Sequence, residues 1–139
     1  MKYLSYILFS TLLINITAKS QEIHILNKKS KYEPNDSITI KVMNRSSKDL
    51  FYGISSEIKL NGGWKEFDGD VTEPPSKTEI YRKIRKGKSV IYHITLPNYI
   101  DGVLKNNDNL INMRFRLKYG ISVKNLTKSF SDSILIVKE

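Results

Sequence analysis

A chain of 139 residues with 40% hydrophobic and 27% charged side chains is long enough for one domain built around an ordinary hydrophobic core. It contains no cysteine, which excludes disulfides, a lipid-modified N-terminal Cys, a thiol nucleophile and any Cys-based zinc site. The formal net charge of +9 suits salt-dependent contact with acidic polysaccharide or anionic lipid headgroups, nucleic acid being the partner least expected, and serves equally as plain solvated surface charge.

Lys2 and the apolar run Leu4–Ile16 have the charge and hydrophobicity of a secretory signal peptide over residues 1–20, with the small side chains of Ala18 and Ser20 placed for cleavage before Gln21. Ser5, Ser10, Thr11 and Asn15 interrupt that run, and it falls short of the about 20 apolar residues a membrane-spanning helix requires. The expected product is residues 21–139, exported to the periplasm or the exterior without a stable membrane span. Losing Lys2 and Lys19 from the +9 total leaves it with +7.

From there a period of two dominates the chain, and no useful stretch repeats at the helical period. Ile23–Leu26 makes a first strand at a sheet edge. Glu33, Pro34, Asn35 and Asp36 form a turn, and over Asp36 to Asn44 the apolar Ile38, Ile40 and Val42 alternate with Ser37, Thr39 and Lys41, the pattern of a half-buried strand. Tyr52, Ile54, Ile58 and Leu60 continue the rule with Ser55, Glu57 and Lys59 on the opposite face, Asn61 and Gly62 accept positive φ in a tight hairpin, and Trp64–Phe67 is the return strand. Pro74 and Pro75 make Asp68 to Lys77 a loop. Ile80 and Ile84 belong to a short strand that Lys86, Gly87 and Lys88 turn into Val90, Tyr92, Ile94 and Leu96 as a second hairpin, stopped by Pro97. Asn98 to Asn109 reads as an exposed loop with Val103 and Leu104 tucked down. Ile111, Met113, Phe115, Leu117 and Tyr119, interleaved with Asn112, Arg114, Arg116 and Lys118, form the strongest strand, and Phe130–Val137 the last. Seven to eight short strands, each with one apolar face, predict an all-β, two-sheet antiparallel β-sandwich.

The stretch Tyr32 to Ile40 with Asn44, Arg45 and Ser46, then Glu57 to Trp64, Ile84 to Gly87 and Met113 to Tyr119, resembles bacterial immunoglobulin-like domains of small exported proteins. The resemblance spans Ile23 to Val137, although Asn109, Leu110 and Ile111 stand where such domains often place a Gly and a Tyr. It implies an immunoglobulin-like sandwich serving as a binding or structural module without a shared catalytic site, so it assigns no functional residue.

The candidate partner-binding residues come from exposed chemistry. Arg114, Arg116 and Lys118 share the outward face of one strand, and Arg82, Lys83 and Arg85, with Lys86 and Lys88, crowd a short segment around Tyr81; together they are a candidate polyanion footprint, or a solvated face with cross-strand partners such as Glu57. Trp64, directly after a hairpin turn, is either a ligand-stacking ring or a core residue at the sandwich edge. Glu66, Asp68 and Asp70 around Gly69 offer oxygens but match no defined calcium loop, and His24 and His93 lie on separate strands with no motif spacing to an acid. No metal, cofactor or catalytic residue is therefore expected. Asp36-Ser37-Ile38 and Asp132-Ser133-Ile134 resemble a short bacterial O-glycosylation signal, a three-residue pattern that turn chemistry also produces. These features favour a non-catalytic exported module engaging a protein or acidic polysaccharide at the cell envelope. The alternatives are a proteinase-inhibitor-like sandwich using the loop Asp68 to Lys77 or Val103 to Asn109, and, behind it, a hydrolase.

Overall fold

The computed structural model describes residues 21–68, 80–96 and 99–139; the expected signal peptide and most of the 68–77 loop lie outside them. Residue alternation decides the two layers. β1 (Gln21–Ile25), β2 (Ser37–Asn44) and β6 (Ser89–Thr95) form an antiparallel three-stranded sheet in the order β1-β2-β6. The second sheet has β3 (Leu50–Leu60) and β7 (Leu110–Ser122) at its centre. On the outer edge of β3 lie β4 (Gly63–Asp68) and β5 (Arg82–Ile84), and on the outer edge of β7 lie β8 (Asn125–Phe130) and β9 (Ile134–Val137). The protein is an all-β sandwich.

Ile38, Ile40 and Val42 of β2 face Ile54 and Ile58 of β3 and Met113, Phe115 and Leu117 of β7 in one buried cluster. Each such side chain contributes roughly 1.5–3 kcal/mol relative to leaving it in water. Across the gap between layers the Tyr52 and Tyr92 hydroxyls bond to each other. Tyr32, wholly buried, fastens the 26–36 connection to β9: its N–H donates to the Leu135 carbonyl at 2.8 Å, its own carbonyl accepts from the Val137 N–H at 2.9 Å, and its hydroxyl donates to the Asn27 carbonyl at 2.7 Å. This core and both sheets lie between residues 21 and 139. No helix among the described residues is long and apolar enough to cross a membrane.

Three local expectations are corrected. The hairpin expected between Ile84 and Val90–Leu96 does not form, because β5 pairs with β3 in one sheet and β6 with β2 in the other. The 85–88 turn is instead a crossover between layers, fastened to the end of β2 by Gly87 N–H to Asn44 O at 3.0 Å and Asn44 N–H to Lys88 O at 2.9 Å. Within Asn98 to Asn109 the chain forms the short helix α1 (Ile100–Lys105), whose Ile100 and Leu104 stack one turn apart and are buried. Asp108 and Asn109, at φ 57° and 58°, then reverse it into β7. The last strand is two. Between Arg116↔Phe130 and Met113↔Ile134, β7 advances three residues and its partner four, a one-residue bulge. Ser131 holds it, its N–H donating to the Phe115 carbonyl and its Oγ accepting from the Phe115 N–H, each at 2.9 Å. With β8 counted, the described residues form nine strands, against the expected seven or eight.

The β7–β8 hairpin ends on a second tight place. A Cβ on Gly120 would lie 2.4 Å from the backbone oxygen of Asn125, a distance no side chain tolerates, so glycine is what lets the two strands close. Gly120→Ala is expected to cost about 2 kcal/mol of stability and to speed amide exchange over residues 120–127, read by urea titration and hydrogen-exchange mass spectrometry. Unchanged exchange there would show that the tip opens without cost.

Candidate polar face of the second sheet

Tyr52 to Ile58 of β3 are buried without a break, so the strand is covered on both faces and not only on the side that meets the core. The register explains what covers it. Glu57 stands opposite Arg114, Ser55 opposite Arg116 and Gly53 opposite Lys118, all on the face turned away from the other sheet. β4 brings Glu66 opposite Glu57 and Trp64 opposite Lys59, while β8 brings Phe130 opposite Arg116 and Lys128 opposite Lys118. The Tyr81 ring lies over Gly53, 3.0 Å from where a Cβ would be.

Two guanidinium groups share the Glu57 carboxylate. Arg114 donates through Nε to Glu57 Oε2 at 2.9 Å and approaches it through Nη2 at 2.8 Å. Arg116 donates through Nη1 to Glu57 Oε1 at 3.2 Å, through Nη2 to Glu66 Oε2 at 3.1 Å and through Nε to Ser55 Oγ at 3.1 Å. Glu57 and Arg116 are 7% and 9% exposed, so these are desolvated, charge-assisted bonds and not solvent-screened pairs. Above them the Arg114 guanidinium is held between two rings, 4.3 Å from the Trp64 centroid and 3.9 Å from that of Phe130, each a cation–π contact. Phe130 is 43% exposed. The outcome is a cluster of ring, guanidinium and ring that links β4 to β8 over an ionic layer of two arginines and two glutamates.

Of the candidate residues, Trp64, Arg114 and Arg116 come together at one end of this face. Lys118, opposite Gly53, lies farther along β3, beside the Tyr52 and Phe51 positions that pair with Arg82 and Lys83, and Arg85 opens the crossover turn. Trp64 sits on this outer face against Arg114 and not within the core cluster, because β4 alternates and its neighbours Lys59 and Glu57 point outward. Sequence reasoning missed Phe130 and the role of Glu66. The shared parity of Trp64 and Glu66 was readable, but nothing in the sequence tells that β8 lies beside β7. His24 and His93 both point outward from the first sheet with β2 between them. His24 Nε2 meets Glu22 Oε2 at 2.6 Å and His93 Nδ1 meets Thr39 Oγ1 at 3.1 Å. Among the described residues no three His, Asp or Glu side chains cluster as a metal site; Gly69 and Asp70 of the acidic loop lie outside them. Ser37 and Ser133 are both exposed.

No protein-family model and no curated protein matches the chain. Among solved structures it is similar to the sporulation control protein Spo0M from Bacillus subtilis, with 12% identity and a TM-score of 0.39 over 86% of this chain and 50% of that one. It is also similar to a protein from Archaeoglobus fulgidus, with 12% identity and a TM-score of 0.38 over 86% of this chain and 96% of that one. The chain thus spans half the length of the Bacillus protein. Neither likeness carries an argument about function.

Proposed function

We propose that the protein is an exported, non-catalytic, immunoglobulin-like module that engages a protein or polysaccharide partner at the cell envelope through the outer face of its second sheet. The strand orders β1-β2-β6 and β4-β3-β7-β8 support the immunoglobulin-like reading, since they follow the A-B-E and C′-C-F-G orders of that fold, with β5 and β9 as additional edge strands. The leader-like residues 1–20 support export. The observation that carries the binding reading is the Trp64–Arg114–Phe130 array. Its outer rings offer π-faces of fixed spacing, and the cation between them is already oriented by Glu57, so little ordering entropy remains to be lost on contact. Its groups suit stacking and hydrogen bonding, with Ser55 Oγ held as an acceptor by Arg116 Nε.

The test takes residues 21–139 and a Trp64→Ala/Phe130→Ala variant through a glycan array and a pull-down from envelope extract at low and high salt. The wild type is expected to retain one partner class specifically, and the variant to lose at least about tenfold in affinity, the scale of a stacking contact. Equal retention by both, or retention by neither, would remove this face as the binding surface.

A further inference from the structure

Six exposed cations collect at one end of the sandwich. The strand pairings Gln21↔Asn44, Met43↔Ser89, Leu50↔Ile84 and Phe51↔Gly120 put the 45–49 loop, the 85–88 turn and the β7–β8 tip at that same end. The first brings Arg45 and Lys48, the second Arg85, Lys86 and Lys88, and the third Lys124, all exposed. Among the described residues, Glu22 and Asp49 oppose these six cations. Glu22 pairs with Arg45 at 3.3 Å. Asp49 Oδ1 accepts the Lys86 N–H at 3.0 Å, and that bond, with Lys83 close by, holds the Asp49 carboxyl below its ordinary range. The opposite end is balanced by contrast: Lys29 pairs with Asp36 at 3.1 Å, Lys138 with Asp101 at 3.1 Å, and Lys31 with Glu139.

A basic end alone would suit any polyanion. The tip decides the matter: Ile121 and Val123 project from it 64% and 49% exposed, β-branched aliphatics that touch no core and stand among the cations. A soluble polyanion gives them nothing to bury in, whereas a bilayer surface offers anionic headgroups to the ring of cations and acyl chains to the tip. Gln21 begins β1 at the same end. We propose that this end of the sandwich docks on anionic lipid, with Ile121 and Val123 entering the headgroup–acyl boundary. The residues of this surface are not those of the polar face, so the two proposals stand or fall independently.

The experiment compares residues 21–139 in co-sedimentation with vesicles of phosphatidylcholine alone and with added phosphatidylglycerol, and in binding to dextran sulfate. The wild type is expected to sediment only with the phosphatidylglycerol vesicles. Ile121→Thr/Val123→Thr keeps β-branching and charge, and is expected to lose most vesicle binding while holding dextran sulfate as the wild type does. Lys48→Gln/Lys86→Gln is expected to weaken both, by roughly five-fold per cation removed. Vesicle binding by the tip variant equal to wild type would reduce the end to a general polyanion site and overturn the proposal, as would a wild type that does not distinguish the two vesicle compositions.

Discussion

Glu57→Ala lowers the unfolding free energy by about 3–5 kcal/mol, the scale of removing one partner from a buried ion pair. The loss comes less from the bonds than from what remains. Arg116, 9% exposed, is left with Ser55 and the half-exposed Glu66 on β3 and β4, and Arg114 keeps its two rings but loses the Glu57 carboxylate. A guanidinium cannot give up its proton to escape, so the sheet must loosen to let water in. Glu66→Ala removes a carboxylate from the same Arg116, yet its side chain is 51% exposed, and the expected cost falls to about 0–1 kcal/mol. Replacing the whole group, Glu57→Leu/Arg114→Met/Arg116→Met, is expected to recover most of what Glu57→Ala loses, because no charge is then left buried. Urea titrations of the three variants at neutral pH give the comparison. A Glu57→Ala cost no larger than that of Glu66→Ala would mean that Arg116 is solvated in practice.

The same face shows where sequence reading reaches and where it stops. Strict alternation in Ile111–Tyr119 fixed which side of β7 carries Arg114, Arg116 and Lys118, and Glu57 fell on the matching side of β3 by the same rule. What alternation cannot supply is the identity of the neighbour. Arg82 and Lys83 are close to Lys88 in the chain, yet the crossover sends them to a different layer from β6, and a Gly87 turn looks alike whether it closes a hairpin or changes sheets. β8 escaped notice because Asn125, Thr127, Lys128 and Ser129 give it almost no apolar face, and with it went Phe130, the ring that completes the clamp on Arg114. α1 escaped for another reason: six residues are too few for a helical period, and only Ile100 and Leu104 betray it. The outward-facing residues were thus legible singly, and their assembly was not, since assembly depends on pairing between strands distant in sequence.

Asn44→Ala is expected to cost about 3 kcal/mol, more than a single hydrogen bond supplies, because truncation orphans several buried groups at once. The side chain is 1% exposed. Its Oδ1 accepts from Gln21 Nε2 at 3.0 Å and from the Ser46 N–H and hydroxyl at 3.0 and 2.8 Å, while its Nδ2 donates to the Ile84 carbonyl at 3.1 Å and the Lys48 carbonyl at 2.9 Å. One amide therefore ties β1, the 45–49 loop and the end of β5 together, using donor and acceptor ends in full. Ser46→Ala touches the same knot from its half-buried rim, where water can replace the hydroxyl, and is expected to cost no more than about 1 kcal/mol. Because the knot sets where Arg45, Lys48 and the 85–88 turn stand, Asn44→Ala should also speed amide exchange across both loops and weaken sedimentation with phosphatidylglycerol vesicles, although it removes no charge. That effect, measured at a temperature where the variant is still folded, separates an ordered basic surface from a mere sum of cations: vesicle binding that survives unaltered while both loops exchange freely would show that net charge alone suffices.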